Sequence, residues 1–322
     1  MWIWYTVWKM KDLTGLVERS DQRIGKSEDK KMKTTLLLCA IASTLVVACN
    51  QTRSASEAIA PAPAPAPVPY VPFALSQQNA DAAIYQHTSA EIHRLFQQCY
   101  ELARLRLDAN LSKPHVLPAA VIMDIDETVL DNSPYQITNV AKGRTFNQAT
   151  WAEWTARAEA KALPGSLDFL RYAKSRGCSI YYISNRSAAE KEATIKNLAT
   201  LGFPDADDRH VLCMDKPQVP TSSGTSDKTE RRAQVKAGHY IALLCGDQLR
   251  DFDESFKDRA TDFGRQRVEA MNDTLTNYFI MLPNAMYGTW LDAVSLPTGQ
   301  AGGKADSLKL DLKQNFFSKH AY

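Results

Sequence analysis

Basic surface, a cysteine framework and long apolar runs are all scarce in this chain. Six cysteines in 322 residues show no spacing of the kind that sets up paired bridges or a zinc site. Residues 1–48 hold 8 of the Lys+Arg and 5 of the Asp+Glu, which leaves 30 basic against 31 acidic side chains, a net of −1. Nothing then provides the clustered positive surface that a nucleic acid requires. Past the first fifty residues no run of about 20 apolar residues occurs, so no helix there is long enough to span a bilayer. What is present is a globular composition, 44% hydrophobic and 23% charged, with material for one large domain or two ordinary ones.

The segment KKMKTTLLLCAIASTLVVAC, residues 30–49, has a basic start, an apolar run and small residues before Cys49, the pattern of a secretion signal. Its end, VVAC, resembles the lipobox of bacterial lipoproteins. That resemblance implies a Cys49 diacylated on sulfur and left as the new N-terminus, with Asn50 favouring the outer membrane of a Gram-negative host. No ordinary signal carries the preceding residues 1–31, so they read as a spurious extension, with Met32 as the start and 32–48 as the signal peptide. Residues 49–73 contain APAPAPAPVPYVP, an extended, semi-rigid spacer. Cys178, Cys213 and Cys245 fall in apolar runs and Cys99 on a helix face, where free cysteine behaves as a small hydrophobe.

Residues 81–110 repeat apolar side chains at three and four, from Ile92 to Ala103, and predict one long amphipathic helix. Five short apolar runs then alternate with helical patterns: 119–126, 178–184, 210–214, 240–247 and 277–282. SLDFLRYAKSRG ends at Gly177 as a helix does, and the next helix opens on Ser187 and Glu190 at capping-box spacing and closes at Gly202. Nearly continuous apolar strands separated by helices predict an α/β fold: a parallel sheet covered on both faces. In such sheets the ligand site lies beyond the carboxyl ends of the strands.

The first strand runs into DIDET, which brings Asp124 and Asp126 to that edge, and the fourth runs into GDQLRD, which brings Asp247 and Asp251. Four carboxylates converging on one crevice repel one another unless a cation compensates, and a hard, oxygen-ligated ion such as Mg²⁺ suits them. Ser184 ends the second strand just before a capped helix, a place where backbone N–H groups and the helix dipole favour an anion. Lys228, in a polar loop entering a short helix, offers the crevice a fixed positive charge.

DIDET (124–128), SNR (184–186), Lys228 in SDKTERR and GDQLRD (246–251) resemble in order and spacing the four motifs of the haloacid dehalogenase (HAD) superfamily. With MLPNAMYGTW (281–290), the set is similar to the class C acid phosphatases of the lipoprotein e(P4), 5′-nucleotidase family. The resemblance implies a Rossmann-like domain over 74–295, with a small helical cap from about 74–112 and 136–165; the remaining 296–322, rich in Gly, Ser and Lys, is expected to be a mobile tail. The resemblance assigns Asp124 as nucleophile, Asp126 as acid and then base, and Ser184 and Lys228 as holders of the phosphoryl oxygens. Mg²⁺ would take Asp124, the Asp126 carbonyl and Asp247, with Asp251 behind them. A mildly acidic optimum follows from an Asp126 that must carry a proton. Ser184 stands where relatives often have threonine, and GTSDK before Lys228 lacks family character.

The implied substrates are nucleoside 5′-monophosphates, with Thr128, Asn185, Arg186, Trp151, Tyr287 and Trp290 as binding residues. Trp151 and Trp154 fall in the cap insert and Tyr287 and Trp290 after the fifth strand, so aromatic faces flank the crevice mouth for bases to stack on. Two copies could pair, and the expected partners are otherwise the small phosphomonoester and, through Cys49, a membrane. The alternative is a catalytically silent surface lipoprotein, an adhesin or ligand carrier on the same fold. Against it stands the retention of every acidic residue of the motifs. The absence of an RHG motif and of a C-x5-R loop disfavours histidine and tyrosine-type phosphatase chemistry.

Overall fold

A computed structural model describes residues 77–214, 226–259, 262–295 and 306–320. The leader, the lipobox with Cys49 and the Pro-rich spacer lie outside these described residues. Among them no helix is long and apolar enough to cross a membrane.

Two helices open the fold, α1 (Ala80–Thr88) and α2 (Ala90–Leu111). The predicted single helix is broken between them at Ser89, whose extended backbone and side chain cap α2 by accepting from the N–H groups of Glu91 and Ile92 at 3.1 and 3.2 Å. The sheet follows: β1 (Ala119–Met123), β4 (Ser179–Ser187), β5 (Val211–Met214), β6 (Tyr240–Gly246) and β7 (Phe279–Met281), all parallel in the order β5-β4-β1-β6-β7. Each of the five predicted strands is found. β2 (Leu130–Asp131) and β3 (Lys161–Ala162) pair antiparallel and form the stem of an insert that carries α3 (Ser133–Ala141) and α4 (Gln148–Arg157).

Strand periodicity divides the core. Val121 and Met123 face one apolar cluster together with Phe96, Tyr100 and Leu107 of α2 and Phe169 of α5 (Ser166–Ser175). Ala120 and Ile122 face a second cluster, with Ile183, Val235 and Phe252, on the opposite side. Helix α2, expected in the cap, is therefore a core helix. Its Phe96, Tyr100, Ala103 and Leu107 lie against the sheet, a face the repeating apolar spacing announced without saying what it would meet. Only α1 belongs with the insert, where it packs on α3.

Between β4 and β5 runs α6 (Lys191–Leu201), entered through the expected capping box of Ser187 and Glu190 and closed by Gly202 at φ +79°. After β5 come α7 (Thr229–Gly238), α8 (Leu249–Phe252), α9 (Arg265–Ala270), α10 (Asn272–Tyr278), α11 (Thr289–Ser295) and α12 (Asp306–His320). The stretch expected to be a mobile tail thus carries a fifteen-residue helix, and it packs against α11. Cys178, Cys213 and Cys245 are buried and free, and Cys99 is half-buried and free.

Candidate active site

Past β1 the chain makes one tight coil, in which the N–H groups of Thr128, Val129 and Leu130 all converge on the Ile125 carbonyl. Glu127 takes a left-handed φ of +56° in this coil, a conformation that costs a non-glycine residue about 1–3 kcal/mol. It is fully buried and accepts the Asn132 N–H at 2.9 Å. Burial, helped by Asp126 and Asp247, pushes its carboxyl well above the usual range. The coil presents Asp124 and Asp126 beyond the strand end.

At the end of β6, Gly246 lets Asp251 fold back from α8. A Cβ on Gly246 would lie 2.5 Å from Asp251 Oδ2, so only glycine fits. Asp251 also accepts the Gln248 N–H at 2.9 Å, and Asp247 accepts the side-chain amide of Asn284 at 2.7 Å. Lys228, at the N-cap of α7, places its buried ammonium between Asp124 and Asp251. It pairs closely with Asp124 Oδ1 and lies 2.7 Å from Asp251 Oδ1. The structure thus brings Lys228 to the carboxylates at the strand ends.

Asp124, Asp247 and Asp251 offer carboxylate oxygens that all lie within 4.8 Å of one another. Burial pushes the Asp124 carboxyl up to about 7 even against the pull of Lys228, and burial with Asp251 and Asp124 beside it pushes Asp247 well up. Burial also works against the Lys228 charge, but Asp124 and Asp251 outweigh it and hold the ammonium above the ordinary lysine range. When all three carboxyls are ionised, the one ammonium leaves two negative charges uncompensated. Hard oxygen donors carrying that charge fit a divalent metal ion. Asp251 belongs to this cluster directly rather than behind it.

Asp126 is arranged differently. Arg186, buried behind it, donates through Nη2 at 2.7 Å and through Nε at 3.1 and 3.2 Å, and Asn132 Nδ2 adds a bond at 2.9 Å. The guanidinium also donates to Thr194 Oγ1 at 3.1 Å and lies 5.7 Å from the Trp151 ring. Burial opposes its charge, and the Asp126 carboxylate more than offsets this.

Several sequence-predicted binding residues take supporting positions instead. Thr128 is fully buried, and its hydroxyl donates to Asp124 Oδ2 at 3.2 Å. It orients Asp124 and is not part of the cleft lining. Ser184, equally buried, accepts the Arg186 backbone N–H at 3.0 Å and reaches Asp126 at 3.5 Å. It sits where the pairing of β4 with β5 shifts register between Ile183 and Ser187, an irregularity that re-aims side chains. Asn185 is exposed on the cleft and accepts from Arg231 at 2.9 Å. Trp154 hydrogen-bonds Asn132 at 2.8 Å and packs on the core.

Above these groups opens a cleft of about 920 Å³ whose lining includes Asp124, Asp126, Arg186, Lys228, Asp247 and Asp251. Trp151, Tyr287 and Trp290 also line it, Trp151 buried against Tyr135 with ring centroids 5.1 Å apart. Sequence reasoning missed Asn284, Arg144 and Phe146. Asn284 lay inside the quoted MLPNAMYGTW motif, and only its partner shows what it does.

A family model described as HAD superfamily, subfamily IIIB (acid phosphatase), matches residues 33–290. The chain belongs to this family of acid phosphatases. Among solved structures it is similar to the class C acid phosphatase from Bacillus anthracis, at 37% identity and a TM-score of 0.68, over 75% of this chain and 97% of that one. The same enzyme with tungstate bound matches at 37% identity and a TM-score of 0.67, with the same coverage. Curated relatives include Acid phosphatase 1 of Solanum lycopersicum, 30% identical over 131 residues, 40% of this chain and 50% of that protein. The Stem 28 kDa glycoprotein of Glycine max is 31% identical over 132 residues, 40% of this chain and 51% of that protein. The chain thus spans about half the length of the curated relatives it matches. The five-stranded parallel sheet flanked by helices is the fold of this acid phosphatase family.

Proposed function

We propose that the chain hydrolyses phosphomonoesters through an aspartyl-phosphate on Asp124, with nucleoside 5′-monophosphates as its substrates and Mg²⁺ as its metal. The observation that carries the reading is the floor of the cleft, where a buried carboxylate at a strand end meets Lys228 and two further carboxylates within 4.8 Å. Tungstate, a tetrahedral oxyanion like phosphate, is bound in the structure of the relative from Bacillus anthracis, which supports an oxyanion site in such a cleft.

Asp124, Asp247 and Asp251 would hold the ion. When bound, it would offset the repulsion between carboxylate and phosphate and fix the ester for in-line attack. Asp124, oriented by the Thr128 hydroxyl, attacks phosphorus, and the P–O bond to the alcohol breaks. Lys228 stays beside Asp124 and answers the charge growing on the phosphoryl oxygens. Asp126, in its protonated form, gives a proton to the leaving oxygen, then takes one from the water that attacks the phosphorus of the acyl phosphate. That step returns Asp124 and releases inorganic phosphate.

The aromatic lining supplied by Trp151, Tyr287 and Trp290 supports a nucleotide, whose base stacks on such faces for roughly 1–3 kcal/mol. The VVAC sequence after an apolar run supports anchoring of the protein by lipid on Cys49 to the outer membrane. The test is phosphate release from a panel of nucleoside monophosphates and simple phosphomonoesters, with Mg²⁺ and with chelator. Metal-dependent release is expected, fastest on the nucleotides. No release from any ester would overturn the reading.

A further inference from the structure

The chemistry above uses the floor of the cleft and gives no task to the wall made by α12. That helix contributes Lys309, Lys313, Phe316 and Phe317 to the lining, and all of it lies beyond residue 290, where the family match ends. Arg144, in the loop between α3 and α4, lines the same cleft.

The cations of the cleft differ in what answers their charge. Arg186 pairs with Asp126, Lys228 with Asp124 and Asp251, and Arg250 with Glu254. Lys309 acts on the Asp292 carboxylate. Arg144 and Lys313 have no carboxylate partner among the described residues. Arg144 Nε donates to the amide oxygen of Asn139 at 2.8 Å, and the buried Nδ2 of that amide finds no acceptor among the described residues. Lys313 is half-buried, and burial together with repulsion from Lys309 pulls it below the ordinary lysine range. Both side chains line the one cleft, where an anionic ligand would supply the charge that no carboxylate among the described residues gives them.

Apolar surface accompanies these cations. Phe146, Phe317 and Trp290 line the cleft while still largely exposed. A volume of about 920 Å³ holds far more than a phosphate ester with a small alcohol and lies within the range of sites for whole organic ligands. We propose that Arg144 and Lys313 bind a second phosphate of the substrate. The cleft would then prefer phosphomonoesters that carry another phosphate on an aromatic body, such as a nucleoside 3′,5′-bisphosphate, over the corresponding monophosphate. The proposal rests on the phosphatase reading of the floor.

Calorimetric titration of the full-length Asp124→Asn protein in Mg²⁺ with adenosine 3′,5′-bisphosphate and with adenosine 5′-monophosphate tests it. The bisphosphate should bind at least about tenfold more tightly. That ratio should fall towards one in protein that also carries Lys313→Gln or Arg144→Gln, changes that keep a polar side chain while removing the charge. Equal affinity for the two ligands, or a ratio that neither change moves, would overturn the proposal. Since binding is read on protein that does not turn over, this outcome is separate from that of the phosphatase reading, which fails if the unsubstituted chain releases no phosphate.

Discussion

The floor and the mouth of the cleft come from different parts of the chain and are held by different forces. On the floor Asp124 and Asp247 follow the ends of core strands, while Asp251 and Lys228 come from the helix α8 and the start of α7. Asp124 has Thr128 and Lys228, Asp247 has Asn284, and Asp251 has Lys228 and the Gln248 N–H. The mouth is made by the insert between β2 and β3 and by the segments after β7, and it presents aromatic faces and, in Arg144 and Lys313, cations without a carboxylate partner among the described residues. Charge packed this tightly on the floor leaves little freedom of position, which suits a reaction that needs in-line geometry. The floor should therefore govern turnover and the mouth selection, and substitutions in the two regions should separate in kcat and KM.

The largest effect is expected at Asp124. Asp124→Asn keeps the side chain's size and its hydrogen bond to Thr128 but removes both the attacking carboxylate and one charge. Activity should fall by about 10⁴-fold or more, in keeping with loss of a nucleophile, while the circular dichroism spectrum and melting temperature stay at least as high as in the parent. Near-normal turnover by the purified variant would place the chemistry elsewhere.

That floor was legible in the sequence because strand ends in a parallel sheet collect ligands, and DIDET and GDQLRD each end a strand. Its partners were less so. The break at Ser89 hides in an uninterrupted apolar repeat, and a single serine is ordinary inside a helix, so only its extended backbone exposes it. Thr128 and Arg186 are polar residues beside the motif carboxylates, and sequence alone does not say whether such a side chain faces ligand or protein. The structure turns both toward Asp124 and Asp126. The Arg144 and Asn139 pairing depends on how a helix end returns on itself, and α12 lay in a stretch whose Gly, Ser and Lys content argued for mobility.

Removing the metal should sharpen the contrast in another way. Chelation should abolish most turnover, and it should also make stability depend on pH. The folded carboxyl of Asp124 lies at about 7, above its ordinary value of 3.8, and that of Asp247 is also raised. The folded protein therefore binds more protons than the unfolded chain between these values, and stability is lost as pH rises from about 4 through 7. The melting temperature of chelated protein should drop by roughly 5 °C or more over this range, and Mg²⁺ should restore it most at the alkaline end. A flat profile without metal would mean the cluster is solvated and carries no such strain.

Ser184→Ala tests the floor from behind. The hydroxyl accepts the Arg186 N–H and reaches Asp126, so its loss leaves a buried donor unpaired and frees the Arg186 loop. A loss of about 10²-fold in kcat is expected, as a small misplacement of Asp126 and Arg186 can cost, with destabilisation of about 1–3 kcal/mol. Ser184→Thr should recover most of both. A change confined to KM would assign Ser184 to the mouth.

The smallest effect should come from the mouth itself. Tyr287 lines the cleft beside Trp290, whose indole N–H donates to the Tyr287 carbonyl at 3.1 Å. Between them Gly288 has φ +144°, and a Cβ there would meet the Trp290 ring at 2.9 Å. The backbone turn thus holds the Trp290 ring in place through a main-chain carbonyl, which survives truncation of the Tyr287 side chain. Tyr287→Ala should therefore remove one aromatic face and little else. If a base stacks on it, KM for a nucleoside monophosphate should rise about tenfold, the equivalent of 1.4 kcal/mol, with kcat nearly unchanged. A phosphate ester of a small aliphatic alcohol has nothing to stack and should lose almost no efficiency. Equal losses on both substrates would show that Tyr287 supports the floor as well, and the division between the two regions would then fail at the residue where it is most exposed to test.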